Sequence, residues 1–202
     1  EFGKFAPLHL PGNIAGVKAM QKALPDAVQV AVFDTAFHHT IPKVQYMYPV
    51  PMEWYKKYGV RKYGFHGTSH KYITETMQKK LGKENINLII CHVGSGASIT
   101  GVKDGKSYDT TMGLTPLEGL IMGTRSGDVD PAVVQYIANK EGKSVDDMLN
   151  ILNKKSGVLG LSDGVSSDFR DIDAAANAGN EKADIARQAF VYRVLKYVGS
   201  YI

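Results

Sequence analysis

A single cysteine, Cys91, stands among the 202 residues. One thiol cannot close an intramolecular disulfide, and this one lies inside the apolar run 88–93, so a reducing compartment, the cytoplasm, is expected. Long hydrophobic runs are also missing. No apolar stretch approaches the roughly 20 residues that a membrane helix needs, so no membrane partner is expected. The opening EFGKFAPLHL has neither a basic n-region nor an apolar h-region, which excludes a signal peptide there. No block of Lys and Arg occurs. The formal charge of +4 suits anionic substrates but is too small to argue for nucleic-acid binding. No internal repeat or low-complexity segment stands out.

What is present is ordinary for a soluble globular protein: 44% hydrophobic and 22% charged residues, enough to bury the core of one large domain or of parts of two. There is no initiator Met. The final stretch 184–202 reads as an amphipathic helix, with Ile185, Ala189, Val194, Val198 and Tyr201 on one side and no C-cap. Both ends therefore look cut, and the chain is read as an excerpt of a longer one.

The pattern of elements predicts an α/β domain. Residues 14–24 fit a short helix ending before Pro25. The β-branched run 28–33 fits a buried strand that delivers Asp34 at its C-terminal end. Segment 38–51, broken by three prolines, reads as irregular. A helix capped by Thr68 or Ser69 ends near Gly82. Strands are expected at 87–93, 97–103 and 106–111, with Asp104-Gly105 as the hairpin turn between the last two. Asp130-Pro131 opens a helix ending near Gly142, and Ser144 with Asp147 opens another ending near Gly157. A further helix covers 167–178.

Five clusters carry candidate chemistry. In 92–98, Gly94, Ser95 and Gly96 join two strands, and glycines there let backbone N–H groups approach an anion; an ordinary glycine hairpin is the plain alternative. Neither a P-loop nor a dinucleotide fingerprint fits the neighbouring glycines. Arg125, between Gly123 and Gly127, presents a planar fork suited to phosphate or carboxylate on what reads as an open, flexible loop, or else pairs with Asp128 or Asp130. His66 and His70 have the i, i+4 spacing of helical zinc sites, but no third ligand is placed nearby; His66 suits a donor to developing negative charge. Asp34, at a strand end, can bind Mg²⁺ or orient a phosphate, or cap a helix or turn. In 166–172, Asp168, Phe169 and Arg170 can hold a nucleoside, or form an N-cap followed by a core Phe.

Together these segments resemble the acetate kinase family, which includes propionate kinases. FAPLH, FDTAFH, YGFHGTSHKY, ICHVGSGASI, DTTMGLTPLEGLIMGTRSGDVDP and SSDFRDI occur in that order across nearly the whole chain. The resemblance implies the actin, sugar-kinase and Hsp70-like (ribonuclease H-like) fold, with residues 1–34 as the tail of a first α/β domain and 35–202 as most of a second. It implies transfer between ATP or ADP and acetate, with Mg²⁺ or Mn²⁺, in a homodimer. It gives Arg125 the transferring phosphoryl and carboxylate, His66 the transition state, and Asp34 the neighbourhood of the metal, whose main ligands lie outside this chain. His92, Gly94, Ser95 and Gly96 fall to the phosphate loop, and Asp168, Phe169 and Arg170 to adenosine. Leu8, Phe65 and Pro116 fall to the apolar wall around the acetate methyl.

Two departures are visible. Ser95 replaces the usual Asn and lacks an amide's reach and second donor, which bears on phosphate affinity and donor choice. Leu10 replaces a polar residue. The family's N-terminal phosphate strand and its C-terminal adenine-binding stretch are absent, so an inactive excerpt that folds, pairs or binds nucleotide weakly is a rival reading. A sugar-kinase-like or actin-like ATPase is another, against which Leu8, Phe65 and Pro116 argue.

Overall fold

The computed structural model of the chain describes residues 10–202. Helix α1 (Leu10–Ala23) is followed by a stretch with no strand. Residues 28–33, expected as a buried strand, are exposed there, from Val28 at 89% to Phe33 at 68%. β-branched residues favour a strand only when a neighbouring strand takes up their backbone groups, and no described strand lies beside them. A 3₁₀ turn (Ala36–Thr40) and the single-turn α2 (Lys43–Tyr46) interrupt the proline-broken segment, otherwise irregular as read, and the short α3 (Met52–Tyr58) follows it.

Helix α4 (Gly67–Leu81) ends on Gly82 in the left-handed conformation, as expected. Its start differs from the sequence reading. The N-cap is His66, with φ +55° and no side-chain cap bond, because Ser69 is engaged elsewhere and the first amides turn to Asp34.

Three strands follow, β1 (Leu88–Val93), β2 (Ala97–Lys103) and β3 (Lys106–Thr110), in an antiparallel meander of that order. Asp104 and Gly105 both have positive φ, 51° and 73°, as a two-residue hairpin turn requires. The glycine turn pairs Val93 with Ala97, so β1 and β2 enter and leave it side by side.

Helices complete the chain. Asp130 caps α5 (Pro131–Glu141), and Ser144 with Asp147 forms a capping box on α6 (Val145–Lys154). The single-turn α7 (Gly157–Leu161), α8 (Phe169–Asn177) and α9 (Glu181–Ser200) follow. Helix α9 starts earlier than read, after an Asn180 cap. Its buried side runs through Ala183, Ala186, Val194, Tyr197, Val198 and Tyr201, at helical spacing. Ile185, two residues from Ala183, falls on the opposite side and is exposed, contrary to expectation.

Two apolar clusters lie on either side of residues 120–122. Leu120 and Met122 join Ala97, Ile99 and Met112, whereas Ile121 joins Val158, Ile172, Ala183 and Ala186. That alternation places the following loop, 123–127, between the sheet and α7. Ile172 is fully buried. Replacing it by Ala should cost about 2–5 kcal/mol, read as a lowered midpoint in chemical denaturation of the full-length protein.

Candidate functional site: a glycine turn, a histidine cluster and one arginine

Asp34 anchors the start of α4. Its carboxylate accepts the His66 amide at 2.7 Å, and its carbonyl accepts the Gly67 amide at 2.8 Å. A Cβ on Gly67 would lie 2.2 Å from that carbonyl oxygen, so only glycine permits the approach. Asp34 therefore acts as a helix cap from 32 residues away, satisfying donors that Ser69 leaves free. The cap holds His66 in a left-handed conformation at the end of the helix.

The imidazole of His66 stacks on His92, centroid to centroid 4.0 Å, and its Nδ1 lies 2.9 Å from Ser98 Oγ. Ser98 Oγ also meets His70 Nε2 at 2.8 Å, and Ser69 Oγ meets His92 Nδ1 at 2.9 Å. His66 and His70, at zinc-like spacing, thus both turn to one serine. Behind them His38 is held between Ser107 Oγ and the Phe65 carbonyl, each at 2.8 Å. Because a carbonyl only accepts, His38 Nε2 is the donor to Phe65.

Burial, then the neighbouring His92, pushes the pKa of His66 down to about 4. Burial takes His70 down to about 3 and also lowers His38. These rings are neutral near pH 7.

The arginine loop is braced, not open and flexible as its glycines suggested. Val158 and Leu159 of α7 donate to the carbonyls of Met122 and Gly123, Ser156 donates to Thr124, and Met122 donates to the carbonyl of Arg125. Arg125 is half-buried, and its Nη1 donates to the Pro116 carbonyl at 2.7 Å. The acids once offered as its partners are engaged elsewhere. Asp130 caps α5, and Asp128 binds the Gly119 amide, Tyr197 and Arg193.

These parts meet at Gly96. A Cβ there would lie 2.6 Å from Arg125 Nη2 and 3.5 Å from His66 Nε2. Without a side chain at Gly96, a fixed cation and a ring nitrogen approach the same side of the turn, and the gap between those two groups suits an anion's oxygen. The turn is joined to the arginine loop by the Gly123 amide, which donates to Ser95 O at 3.2 Å. A Cβ on Gly123 would also sit 2.7 Å from Ser167 O, so segment 166–168 abuts the same place.

The other candidates divide. Phe65 packs against the first core cluster, and Pro116 contributes its carbonyl to Arg125. Gly94 and Ser95 are exposed on the turn. Asp168 caps α8 and pairs with Arg170 at 2.6 Å, while Phe169 packs on Phe190 with centroids 4.6 Å apart. The cap-and-core reading of that segment is the one its geometry displays. Arg170 has its side chain 90% exposed. Leu8 lies outside the described residues. A cavity of about 710 Å³ beside Leu88, Gly101, Tyr108 and Tyr201 shares no residue with this cluster.

Sequence reasoning missed Ser98, Ser69, His38 and Ser107, and the Tyr48 hydroxyl, which accepts from Leu114 N–H at 2.8 Å and donates to Glu118. A serine inside the apolar strand 97–102 was the available signal, because a buried hydroxyl needs partners.

A glycine turn between two strands of a meander sheet, with a guanidinium and an imidazole against it, belongs here to a domain of mixed helix and sheet. Its relatives give the fold a class. A solved propionate kinase from Francisella tularensis superposes with a TM-score of 0.93 at 49% identity, over 96% of this chain and 50% of that one. Porphyromonas gingivalis acetate kinase gives 0.89 at 50% identity, over 96% and 49%. The class is the actin, sugar-kinase and Hsp70-like fold. The chain belongs to the Acetokinase family, whose match spans residues 1–202. It is 60% identical to an acetate kinase of Lachnoclostridium phytofermentans and 56% identical to one of Finegoldia magna. The chain is covered completely in both comparisons but spans about half, 51%, of each relative.

Two outcomes follow from this geometry. Folded His66 and His70 resist protonation, whereas the unfolded chain takes up those protons below the ordinary 6.5. Their contribution to stability is complete above about pH 6.5 and is lost as pH falls toward about 4 and below. Denaturation midpoints measured across that window should fall with pH, and His66 ring-proton shifts should stay flat down to about pH 5. Gly157 has φ +63°, and a Cβ there would lie 2.1 Å from Met122 O and 2.7 Å from Arg125 O. Gly157→Ala should destabilise by about 1–3 kcal/mol in urea titrations.

Proposed function

We propose that this chain is part of a carboxylate kinase that catalyses ATP + acetate ⇌ ADP + acetyl phosphate by direct in-line transfer. An acetate oxygen attacks the γ-phosphorus. The bond from that phosphorus to the β–γ bridging oxygen breaks, and ADP leaves with the electron pair. Family membership supports the reaction class, and the convergence of Arg125, His66 and Gly96 on one gap is the observation that carries the reading.

Such transfers need positioning and charge neutralisation more than covalent help from the protein. Arg125 offers a desolvated positive fork to the transferring phosphoryl. The neutral His66 offers a ring nitrogen beside it, and His92 stacks against His66 to keep it there. The Gly94 amide is held by the Gly96 carbonyl at 3.0 Å, which leaves the Ser95 and Gly96 amides of the turn to meet the phosphate chain, with Ser95 adding a hydroxyl. Phe65 and Pro116 form the apolar wall around the methyl group, to which the family resemblance adds Leu8. Asp168, Phe169 and Arg170 border the adenosine, the exposed guanidinium of Arg170 offering a face to stack while Asp168 holds its edge.

Among the described residues no group of three or more His, Cys, Asp or Glu side chains stands together to hold a metal ion. Asp34 is the candidate ligand for Mg²⁺ or Mn²⁺, and further ligands would come from nucleotide phosphates and from sequence beyond this chain. When bound, the ion would neutralise phosphate charge.

By the same resemblance, residues 1–34 end a first domain and 35–202 form most of a second, in a cytoplasmic homodimer. The 202 residues span half of each relative and are expected to be inactive alone. Propionate is the alternative acceptor, because the propionate kinase superposes closely. One methylene is worth only about 1–3 kcal/mol in an apolar pocket, so discrimination should be modest.

Arg125→Ala in the full-length protein should lower acyl phosphate formation, trapped with hydroxylamine, by about 10²–10³-fold. Near-normal turnover would eliminate the proposed role.

A further inference from the structure

Ser98 Oγ sits in a buried position between two imidazoles, 2.9 Å from His66 Nδ1 and 2.8 Å from His70 Nε2. A hydroxyl has one proton and two lone pairs; accepting from both rings would leave its buried proton without a partner among the described residues, so Ser98 donates to one ring and accepts from the other. With both rings neutral, two arrangements remain. They differ in which nitrogen of His70 carries its proton.

The other nitrogen of His70 decides between them. Nδ1 is buried and has no hydrogen-bond partner among the described residues. If the proton sat there, a buried N–H would be orphaned, which folded proteins almost never tolerate. If the proton sits on Nε2, only a lone pair is left unpaired. His70 Nε2–H then donates to Ser98 Oγ, and the Ser98 hydroxyl donates to His66 Nδ1. The proton of His66 is left on Nε2, the atom facing the gap beside Gly96 and Arg125. The opposite arrangement would turn a lone pair toward an incoming anion. His38 repeats the polarity: its Nε2–H donates to the carbonyl of Phe65, the residue before His66, and its Nδ1 faces Ser107.

We infer that Ser98 and His70 are positioning residues whose hydrogen-bond chain locks His66 as the Nε2–H tautomer, so that a neutral imidazole donates its proton toward the anion held by Arg125. A second imidazole fixed through a serine lets His66 act as a donor without carrying charge. Its use in phosphoryl transfer rests on the kinase reading; the tautomer does not.

The test reads the tautomer directly. In the full-length protein with ¹⁵N-labelled histidine, long-range ¹H–¹⁵N correlation spectra near neutral pH separate Nε2–H from Nδ1–H rings, and His66→Gln assigns the signal. The Nε2–H pattern is expected for His66, giving way to a mixture in Ser98→Ala. A predominantly Nδ1–H ring in the unmutated protein would overturn the inference, as would a pattern unchanged in Ser98→Ala. Should that variant fail to fold, the unmutated spectrum still decides. In acyl phosphate assays Ser98→Ala should lower kcat by about tenfold or more with little change in the KM for ATP, and Ser98→Thr, which keeps the hydroxyl, should recover part of it. Unchanged kcat in Ser98→Ala would remove the positioning role. An unmutated protein with the Nε2–H ring but no phosphotransfer would overturn the functional reading alone.

Discussion

The bond from the Gly123 amide to the Ser95 carbonyl joins two loops that the chain separates by the rest of the sheet and a long connection. One loop is the glycine turn between β1 and β2. The other carries Arg125 and is clamped from behind by α7. Because the turn has no side chain at Gly96, the guanidinium can advance to the edge of the backbone without collision. The braces on residues 122–125 then hold it there, so that the cation is in place before any ligand arrives. Preorganisation of this kind is where phosphoryl-transfer sites gain most, since the groups need not reorganise as charge shifts.

The electrostatic character of the site comes from the Arg125 cation beside the neutral rings of His66 and His70. Four imidazoles, His38, His66, His70 and His92, lie within stacking or edge contact of one another. Such a cluster could not all be protonated. Burial keeps His66, His70 and His38 neutral, and serine hydroxyls supply the hydrogen bonds that charge would otherwise have to provide. A buried polar network of this type is stable only when its members are satisfied. Among the described residues, the Nδ1 of His70 is the buried nitrogen of this cluster left without a partner, and that is what makes it informative.

Much of the local structure was legible along the chain. The Asp104-Gly105 turn, the Ser144–Asp147 capping box, the Asp130-Pro131 helix start and the glycine stop at 82 are short-range devices, and each acts within a few residues of where it is written. The readings that differed depended on distant partners. The run 28–33 has strand composition but no described strand beside it. Ser69 looks like a cap, yet its hydroxyl goes to His92, while Asp34 caps the helix across 32 residues. The glycines flanking Arg125 read as freedom. In the fold two of them instead admit close backbone neighbours, Ser167 O at Gly123 and Gly119 O at Gly127.

By itself the sequence determined the family, the three-stranded meander, the helices α1, α4, α5, α6, α8 and α9, and a short list of residue types able to meet an anion. Those follow from residue chemistry and spacing. Only the tertiary structure decided that Arg125, His66 and Gly96 share one gap, that Asp168 and Phe169 serve a cap and a core, and that Ser98 links two histidines. Each of those facts depends on segments far apart in the chain, whose separation is set by how two apolar clusters pack on either side of residues 120–122.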